Sequence, residues 1–284
     1  MSYRNNQDRV GAAPPSQDLV AQEQIREEGF SYAIPTEVVD LPSNGECYPA
    51  EHPLYGVGSI EIKHMTAKEE DILTSQALLK KGIALDRLLK SIILDKSINP
   101  DDLLVGDKNA LIIAARINAY GSDYHAAVTC PACQAPSNTQ FDLEALTNKV
   151  VTEEELMYSD AFVEDQRYFV KLPKSGATIG LHLLCGKDEK KMAVLTERKK
   201  KMRLPESALT DQLKMIIESV DGDFDRSVVS NFVDAMPAAD SRHLRYAYST
   251  LSPDVDLRQP FDCESCGYAQ EVEIPLTADF FWPR

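Results

Sequence analysis

The sequence lacks long apolar runs and an excess of basic charge. No apolar run approaches the roughly 20 residues that a membrane-spanning helix needs, so we expect no membrane insertion. The first residues lack the apolar middle region of a secretory signal, and we therefore expect folding in a reducing cytoplasm. The formal net charge of -15 repels nucleic acid at long range. We expect protein partners and no nucleic acid.

Motifs for nucleotide binding and hydrolysis are missing as well. Gly56-Val57-Gly58 has neither the third glycine nor the following helix of a phosphate-binding loop. Neither HExxH nor HxE occurs, and the histidines are scattered without a serine or cysteine nucleophile pattern around them. With no candidate nucleophile, base or open metal site, we predict that the protein is not an enzyme.

Two regions of different composition follow one another along the chain. Residues 1–35 are polar, rich in Gln, Glu, Pro and Ser, and show no apolar period, which predicts a flexible or partner-ordered arm. Residues 36–284 have the composition of a globular protein and predict one α+β domain, with a helical body and short β-hairpins. Helical sub-units are predicted at 65–121 and 187–252.

Local signals place the main elements of this domain. Thr66 and Glu69 have the spacing of a capping box, which predicts a helix start, and Gly82 is placed to end that helix. A hairpin is predicted over 167–172 and 177–184, joined by a turn rich in Pro and Gly. Later helices are predicted over 206–220 and 226–235. One face of the first of these would carry Leu209, Leu213, Ile216 and Val220.

Four of the six cysteines form two CxxC pairs. Cys130 and Cys133 lie inside the strand-like segment 124–143, and Cys263 and Cys266 lie inside the similar segment 255–276. A tight turn between two strands can aim two thiolates at one ion, and two such knuckles complete a tetrahedral four-sulfur site. The spacing predicts a zinc-ribbon-like sub-unit that holds one structural Zn²⁺.

The same cysteines allow three alternatives to zinc in a structural role. Four reduced thiols without a metal are the first, and a thiol-disulfide redox protein that uses Cys130 and Cys133 is the second. The residues at 134–138 read as a loop, whereas a thioredoxin-type pair begins a helix. A zinc-ribbon adaptor for nucleic acid is the third. The basic run at 187–203 is interrupted by acidic residues, which favours a solvated helix face, with an acidic protein partner as the alternative. Cys47 and Cys185 have no partner at ligand spacing and are expected to be small apolar fillers.

Three aromatic residues lie close to the C-terminal end of the sequence. Phe280, Phe281 and Trp282 follow the last predicted strand. They could fold back onto the helical core, because aromatic side chains bury a large apolar area. Alternatively, Trp282 above all could bind a neighbouring subunit, since tryptophan is enriched among interface anchors. We keep Phe280, Phe281 and Trp282 as candidate partner-binding residues.

Several short words of the sequence occur in an order that resembles one family. They are Leu41-Pro42-Ser43-Asn44-Gly45 with Tyr48-Pro49, Met65-Thr66-Ala67-Lys68-Glu69-Glu70-Asp71, Gly106-Asp107-Lys108, Ala119-Tyr120-Gly121-Ser122-Asp123-Tyr124, the two CxxC pairs, Asp240-Ser241-Arg242, and Ile274-Pro275-Leu276-Thr277-Ala278-Asp279-Phe280-Phe281-Trp282-Pro283. Together they look like the baseplate hub and hub-assembly proteins of contractile-tailed bacteriophages, the type represented by gene product twenty-six of the T-even phages. The resemblance covers most of residues 35–284.

This resemblance implies a role in the virion or in its assembly. The expected place is the tail baseplate, assembled in the host cytoplasm, either as a hub component or as a hub-assembly chaperone. Other baseplate and tail proteins are the implied partners, within a symmetric multi-subunit assembly, and no catalytic activity is implied. The zinc prediction depends on the cysteine spacing of this sequence and is not carried over from the family.

Overall fold

The computed structural model describes residues 34–164, 167–205, 207–274, 276 and 280–281. The chain divides into two units, residues 1–35 and residues 36–284, and the helices and strands of the described residues belong to the second. The predicted N-terminal arm, apart from Ile34 and Pro35, and Trp282 lie outside the described residues.

A hairpin and a group of helices begin the second unit. Strand β1 (Thr36–Asp40) pairs antiparallel with β2 (Ser59–Lys63). Helices α1 (Ala67–Thr74), α2 (Gln76–Lys80), α3 (Ala84–Ile92) and α4 (Val105–Tyr120) follow, with a short 3-10 turn at Pro100–Asp102. These elements form the first helical part of the domain.

The helix predicted to run from Thr66 to Gly82 is interrupted. Glu69 Oε2 accepts a hydrogen bond from the Thr66 N–H at 3.0 Å, as the third residue of a capping box does, and a second one from the Thr66 hydroxyl at 2.6 Å. The Thr74 hydroxyl donates to the Glu70 carbonyl at 2.9 Å, and Ser75 is extended with φ -65° and ψ 105°. Hydroxyl groups that bond locally compete with the helical ladder, and here two helices replace one.

Two hairpins carry the CxxC pairs. Strand β3 (Asp123–Thr129) pairs antiparallel with β4 (Pro136–Asp142), and β11 (Arg258–Asp262) pairs antiparallel with β12 (Ala269–Glu273). A two-residue ladder between β5 (Thr147–Asn148) and β10 (Val255–Asp256) brings the middle of the chain beside its end. A 3-10 turn, Leu143–Ala145, leads from β4 to β5.

A four-stranded antiparallel sheet lies between these two hairpins in the sequence. Its order is β6 (Ala161–Glu164), β7 (Arg167–Lys171), β8 (Thr178–Leu181) and β9 (Ile217–Val220). The accompanying helices are α5 (Glu153–Tyr158), α6 (Gly186–Lys201), α7 (Ala208–Ile216), α8 (Arg226–Ala235) and α9 (Ala238–Leu251). The predicted hairpin forms the middle of this sheet, as β7 and β8.

The helix predicted over 206–220 is wrong at its end. It stops at Ile216, and Ile217–Val220 continues as β9, paired with β8. Leu209 is 44% exposed and therefore does not line the core as predicted. Ile217 and Val220 are β-branched and therefore favour a strand, and β8 offers an edge with which this strand can pair. This pairing outweighs the helix-like spacing of the apolar residues in the sequence.

Two apolar cores stabilise residues 36–284. The first combines β1, β2, α1, α3 and α4 with the two CxxC hairpins and the C-terminal Phe280 and Phe281. The second combines β7, β8 and β9 with α7, α8 and α9. The rings of Tyr168 and Tyr248 pack against both cores. The fold class is α+β, as predicted, and within the described residues no helix is both long and apolar enough to span a membrane.

Candidate metal centre

The first knuckle is a tight turn between β3 and β4. The Gln134 N–H donates to the Cys130 carbonyl and the Cys130 N–H donates to the Ala135 carbonyl, both at 2.9 Å. Gln134 takes a left-handed conformation with φ +61°. These two bonds curl the Cys130–Cys133 segment so that both side chains come from one end of the hairpin.

The second knuckle repeats this arrangement between β11 and β12. The Gly267 N–H donates to the Cys263 carbonyl at 2.9 Å, and the Cys263 N–H donates to the Tyr268 carbonyl at 2.8 Å. Gly267 occupies the left-handed position with φ +70°, which glycine adopts at no steric cost. The two knuckles therefore have the same hydrogen-bond pattern, and they differ in the residue at the left-handed position.

The four cysteine sulfurs converge from the two knuckles. All four ligand atoms lie within 4.8 Å of one another. Cys130 Sγ is 3.7 Å from Cys266 Sγ, and Cys133 Sγ is 3.7 Å from Cys263 Sγ. A Zn–S bond of about 2.3 Å implies sulfur separations of about 3.8 Å in a regular tetrahedron. The cluster fits one tetrahedral ion, and Cys130 and Cys263 are buried while Cys133 and Cys266 face solvent.

The environment separates the acidities of the thiols. Burial disfavours the Cys130 thiolate, but the N–H groups of Cys133 and Ala132 donate to its sulfur and lower the pKa of this thiol to about 7. The Tyr268 N–H favours the Cys266 thiolate, yet the neighbouring sulfurs and burial raise the pKa of Cys266 to about 12. Without a metal ion, four thiols this close cannot all be ionised, because the thiolates repel one another. A divalent cation compensates their negative charge and displaces the protons.

The two hairpins also contact each other beside the sulfurs. The Asp142 N–H donates to Gln259 Oε1 at 3.1 Å, and Gln259 Nε2 donates to the Asp142 carbonyl. Gln259 is 8% exposed, and the rings of Phe141 and Phe261 are buried in the same core. A buried side-chain amide thus satisfies both backbone groups of Asp142. Metal ligands and packing act on the same pair of hairpins.

The remaining cysteines lie away from this cluster. Cys47 is half-buried against the first core, and its sulfur lies 3.1 Å from the Tyr168 hydroxyl. Cys185 precedes α6, and its thiol donates to Asp188 Oδ2 at 3.2 Å. Each therefore makes a polar contact in addition to filling space, which the expectation of apolar fillers omitted.

Arg116 is a buried cation that sequence reasoning missed. It is 1% exposed, although it lies in the apolar helix α4. Its guanidinium donates to three backbone carbonyls, those of Phe280 at 2.9 Å, Gly121 at 2.8 Å and Asp123 at 3.1 Å. The sequence did contain a signal: Arg116 follows Ile112 by four positions, so both residues lie on the same face of the helix, and Ile112 is buried. Arg116 holds the C-terminal segment and the start of β3 against α4.

The C-terminal rings pack inward. Phe280 and Phe281 are 2% and 3% exposed in the first core. The Phe280 ring meets the Tyr124 ring edge-on, with centroids 5.0 Å apart, and the Phe281 ring edge-on at 5.5 Å. In this arrangement both rings are buried against other residues of the same chain. Partner binding by Phe280 and Phe281 stays a prediction, as does that by Trp282, which lies outside the described residues.

Buried Asp107 connects the loop at residues 41–49 with helix α4. Its carboxylate accepts hydrogen bonds from the Ser43 N–H at 3.0 Å, the Ser43 hydroxyl at 2.6 Å and the Tyr48 hydroxyl at 2.7 Å. The Tyr48 oxygen in turn accepts from the Leu104 N–H at 3.0 Å. Burial raises the pKa of Asp107, and this effect outweighs the hydrogen bonds from Ser43 and Tyr48, which lower it. The loop is thereby fixed on the first turn of α4.

A close backbone approach explains the glycine before Asp107. A β-carbon at Gly106 would lie 2.0 Å from the Pro253 carbonyl oxygen. Only glycine therefore lets the start of α4 meet the segment that leads into β10 and the second knuckle. Gly106 and Asp107 thus hold two chain segments, one before β10 and one at residues 41–49, against the start of α4.

The fold and the site define an α+β protein whose distant hairpins meet at a closed four-cysteine cluster. The family model for the T4 bacteriophage base plate protein matches residues 34–282. The chain belongs to this family, and it is thus a structural phage baseplate protein. No curated protein and no solved structure matches the chain significantly.

Proposed function

We propose that this chain is a non-enzymatic hub component or hub-assembly chaperone of a contractile phage tail baseplate, stabilised by one structural Zn²⁺. The observation that carries the metal assignment is the convergence of four sulfurs, all within 4.8 Å, from two hairpins 130 or more positions apart in sequence. Family membership supports the baseplate role.

The donor set favours a structural ion over a catalytic one. Four thiolates complete a tetrahedral shell and leave no coordination position for water or substrate. When bound, the ion supplies a cross-link between the hairpin at residues 123–142 and the hairpin at residues 258–273. The neighbouring N–H groups of Cys133, Ala132 and Tyr268 stabilise the thiolates and orient them. The protein would act by shape, as a rigid body that organises neighbouring subunits.

The proposed partners are other baseplate and tail proteins in a symmetric assembly. The proposed location is the virion tail, after assembly in the host cytoplasm. A closed metal shell and a body built around two cores suit a subunit that must keep one shape while neighbours dock on it. We propose neither membrane insertion nor nucleic-acid binding.

A redox function is the first rival, because the pKa of Cys130 is lowered to about 7. A thiol-disulfide enzyme works with the two cysteines of one CxxC pair. Here the sulfur pairs at 3.7 Å join different knuckles, Cys130 with Cys266 and Cys133 with Cys263. This crossed arrangement supports metal binding over a redox pair. Metal analysis and a thiol-disulfide exchange assay separate the two functions.

A nucleic-acid adaptor is the second rival. The strands and turn of the second hairpin carry Asp262, Glu264, Glu271 and Glu273. Most lysines of the basic run on α6 are paired inside the chain, for example Lys190 with Asp86 and Lys199 with Asp211. An acidic knuckle and internally paired lysines favour proteins as partners. A salt-dependent shift of DNA mobility would contradict this part of the proposal.

Two measurements test the proposal. Metal analysis of protein purified without added zinc should find one Zn²⁺ per chain, and a metal-free protein with full stability would refute the structural ion. Mass spectrometry of purified virions decides between the two roles. A hub component remains in the particle, whereas a chaperone is present during assembly and absent from finished tails.

A further inference from the structure

A cavity of about 740 Å³ lies between α5, the β7–β8 turn and the outer face of α9. On α9, Ala239, Arg242, His243 and Tyr246 follow the i, i+3, i+4, i+7 spacing of one helix face. A neighbouring face carries buried Leu244 and Ala247, which pack in the second core. The cavity therefore lies on a side of α9 that faces away from the second core and that α5 contacts through the Tyr158 ring.

His243 has an unsatisfied polar atom at this cavity. Its side chain is 14% exposed, and Nε2 is buried without a hydrogen-bond partner among the described residues. Asp160 Oδ2 lies 3.7 Å from Nε2, which is too far for a hydrogen bond. A buried polar atom without a partner is costly, and such atoms in native proteins indicate a missing bonding group.

The charges around the cavity favour an anion. Lys174 and Arg242 line it, and neither has an acidic partner in the part of the chain that the structure describes. The one carboxylate of the lining, Asp160, has a side chain 62% exposed and is thus largely screened by water. Two cations and an imidazole lie beside Asp160 here, and the other carboxylate near His243, that of buried Asp240, already accepts the Lys174 and Ser175 N–H groups.

Exposed apolar side chains form the rim of the same cavity. Met157 and Tyr158 are 80% and 74% exposed, and Tyr246 is 39% exposed. The rings of Tyr158 and Tyr246 meet edge-on with centroids 5.7 Å apart. Aromatic side chains and methionine beside a charged centre are typical of protein interfaces. A free inorganic anion has no apolar surface that could pack on these side chains.

We propose that this cavity binds an acidic side chain of a protein partner. The partner carboxylate lies between Lys174 and Arg242, beside the imidazole of His243, while apolar side chains next to it pack on Met157, Tyr158 and Tyr246. The class of partner, a protein of the same assembly, depends on the proposed baseplate function. The carboxylate site itself does not depend on the metal or on the hub assignment.

Imidazole nitrogen NMR of the full-length, metal-loaded protein tests the site directly. The probe is an acetylated and amidated hexapeptide of alanine, leucine and glutamate, and the control peptide has glutamine in place of glutamate. We expect the glutamate peptide to shift the Nε2 resonance of His243 in a saturable way and the glutamine peptide to leave it unchanged. His243→Gln identifies the resonance by removing it.

Matched variants locate the effect. The double variant Lys174→Gln/Arg242→Gln should weaken peptide binding about fivefold, since each exposed charge pair contributes a fraction of a kcal/mol. Lys200→Gln removes an exposed lysine of α6 that does not line the cavity, and it should leave binding unchanged. No shift at millimolar peptide, an equal shift with the glutamine peptide, or tighter binding of inorganic phosphate or oligothymidylate would overturn the proposal. None of these results would bear on zinc content or on virion composition.

Discussion

The two apolar cores of residues 36–284 are built from very different lengths of chain. The second core draws on one continuous stretch, from Val170 to Ala247. Apart from Leu183, the buried members of the first core come from both sides of that stretch, with Val39 and Phe281 as the outermost. The second core is thus inserted between the two halves of the first. Joining distant segments costs chain entropy, and cross-links are most useful there.

The buried polar groups also differ between the two cores. The first core contains the four-cysteine cluster, buried Asp107 and buried Arg116, each of which joins segments distant in sequence. The second core is apolar, and beside it the buried carboxylate of Asp240 accepts hydrogen bonds from the nearby β7–β8 turn. We therefore expect the first core to depend on specific polar and metal contacts, and the second to depend on packing.

The largest expected effect is the loss of the metal ion. Cys130→Ser should abolish metal binding and lower the melting temperature by about 10 °C or more, because structural zinc contributes its binding free energy to folding. Amide exchange should accelerate in β3, β4, β11 and β12 and stay slow in β7 and β8. Cys185→Ser, outside the cluster, is the control. Equal loss of protection in both cores would contradict the comparison.

The second effect is expected at the buried carboxylate of the first core. Asp107→Ala leaves two Ser43 groups and the Tyr48 hydroxyl without their acceptor and should cost about 3 kcal/mol in the free energy of unfolding. Denaturant titration measures this change. Asp71→Ala, an exposed position on α1, should stay within about 0.5 kcal/mol. A similar small loss at Asp107 would mean that the loop at residues 41–49 is held by packing alone.

A smaller effect is expected in the second core. Asp240 accepts from the Lys174 and Ser175 N–H groups, both at 2.8 Å, so Asp240→Ala should cost about 2 kcal/mol in the free energy of unfolding. Asp240→Asn keeps one acceptor oxygen and should give an intermediate loss. The same denaturant titration applies. If Asp240→Ala costs more than Asp107→Ala, the proposed difference between the cores is reversed.

The features most clearly predicted from the sequence are those that depend on residues a few positions apart. The capping box at Thr66, helix α8 and both knuckles follow from residue type and spacing within a few positions. The convergence of Cys130 with Cys266 could also be predicted, because a four-sulfur shell needs two pairs.

Features that depend on distant partners escaped prediction. Strand β9 exists because β8 offers a free edge, which the local pattern at Ile217 does not contain. Arg116 satisfies carbonyls as far away as Phe280, and the orphaned Nε2 of His243 follows from tertiary packing. Long-range contacts of this kind are set by the assembled fold, and a single sequence carries only a weak trace of them.

The smallest expected effect separates the two knuckles within the first core. Their backbone hydrogen bonds match, but the left-handed position is Gln134 in one and Gly267 in the other, and the Gln134 side chain also donates to the Pro131 carbonyl at 3.3 Å. Nothing lies within 4 Å of a β-carbon built on Gly267, so Gly267→Ala meets backbone strain alone and should cost about 1 kcal/mol. Gln134→Gly relieves that strain but adds freedom to the unfolded chain, and it should gain at most about 0.5 kcal/mol.

Both variants should keep one Zn²⁺ per chain, because neither changes a sulfur ligand. Denaturant titration of the metal-loaded proteins measures the two changes, and chelator competition shows whether they act through metal affinity. Opposite signs at the two positions are expected if the knuckles are equivalent turns that differ in one residue. A loss at both positions would show instead that the Gln134 side chain stabilises its knuckle, and the two halves of the metal site would then not be equivalent.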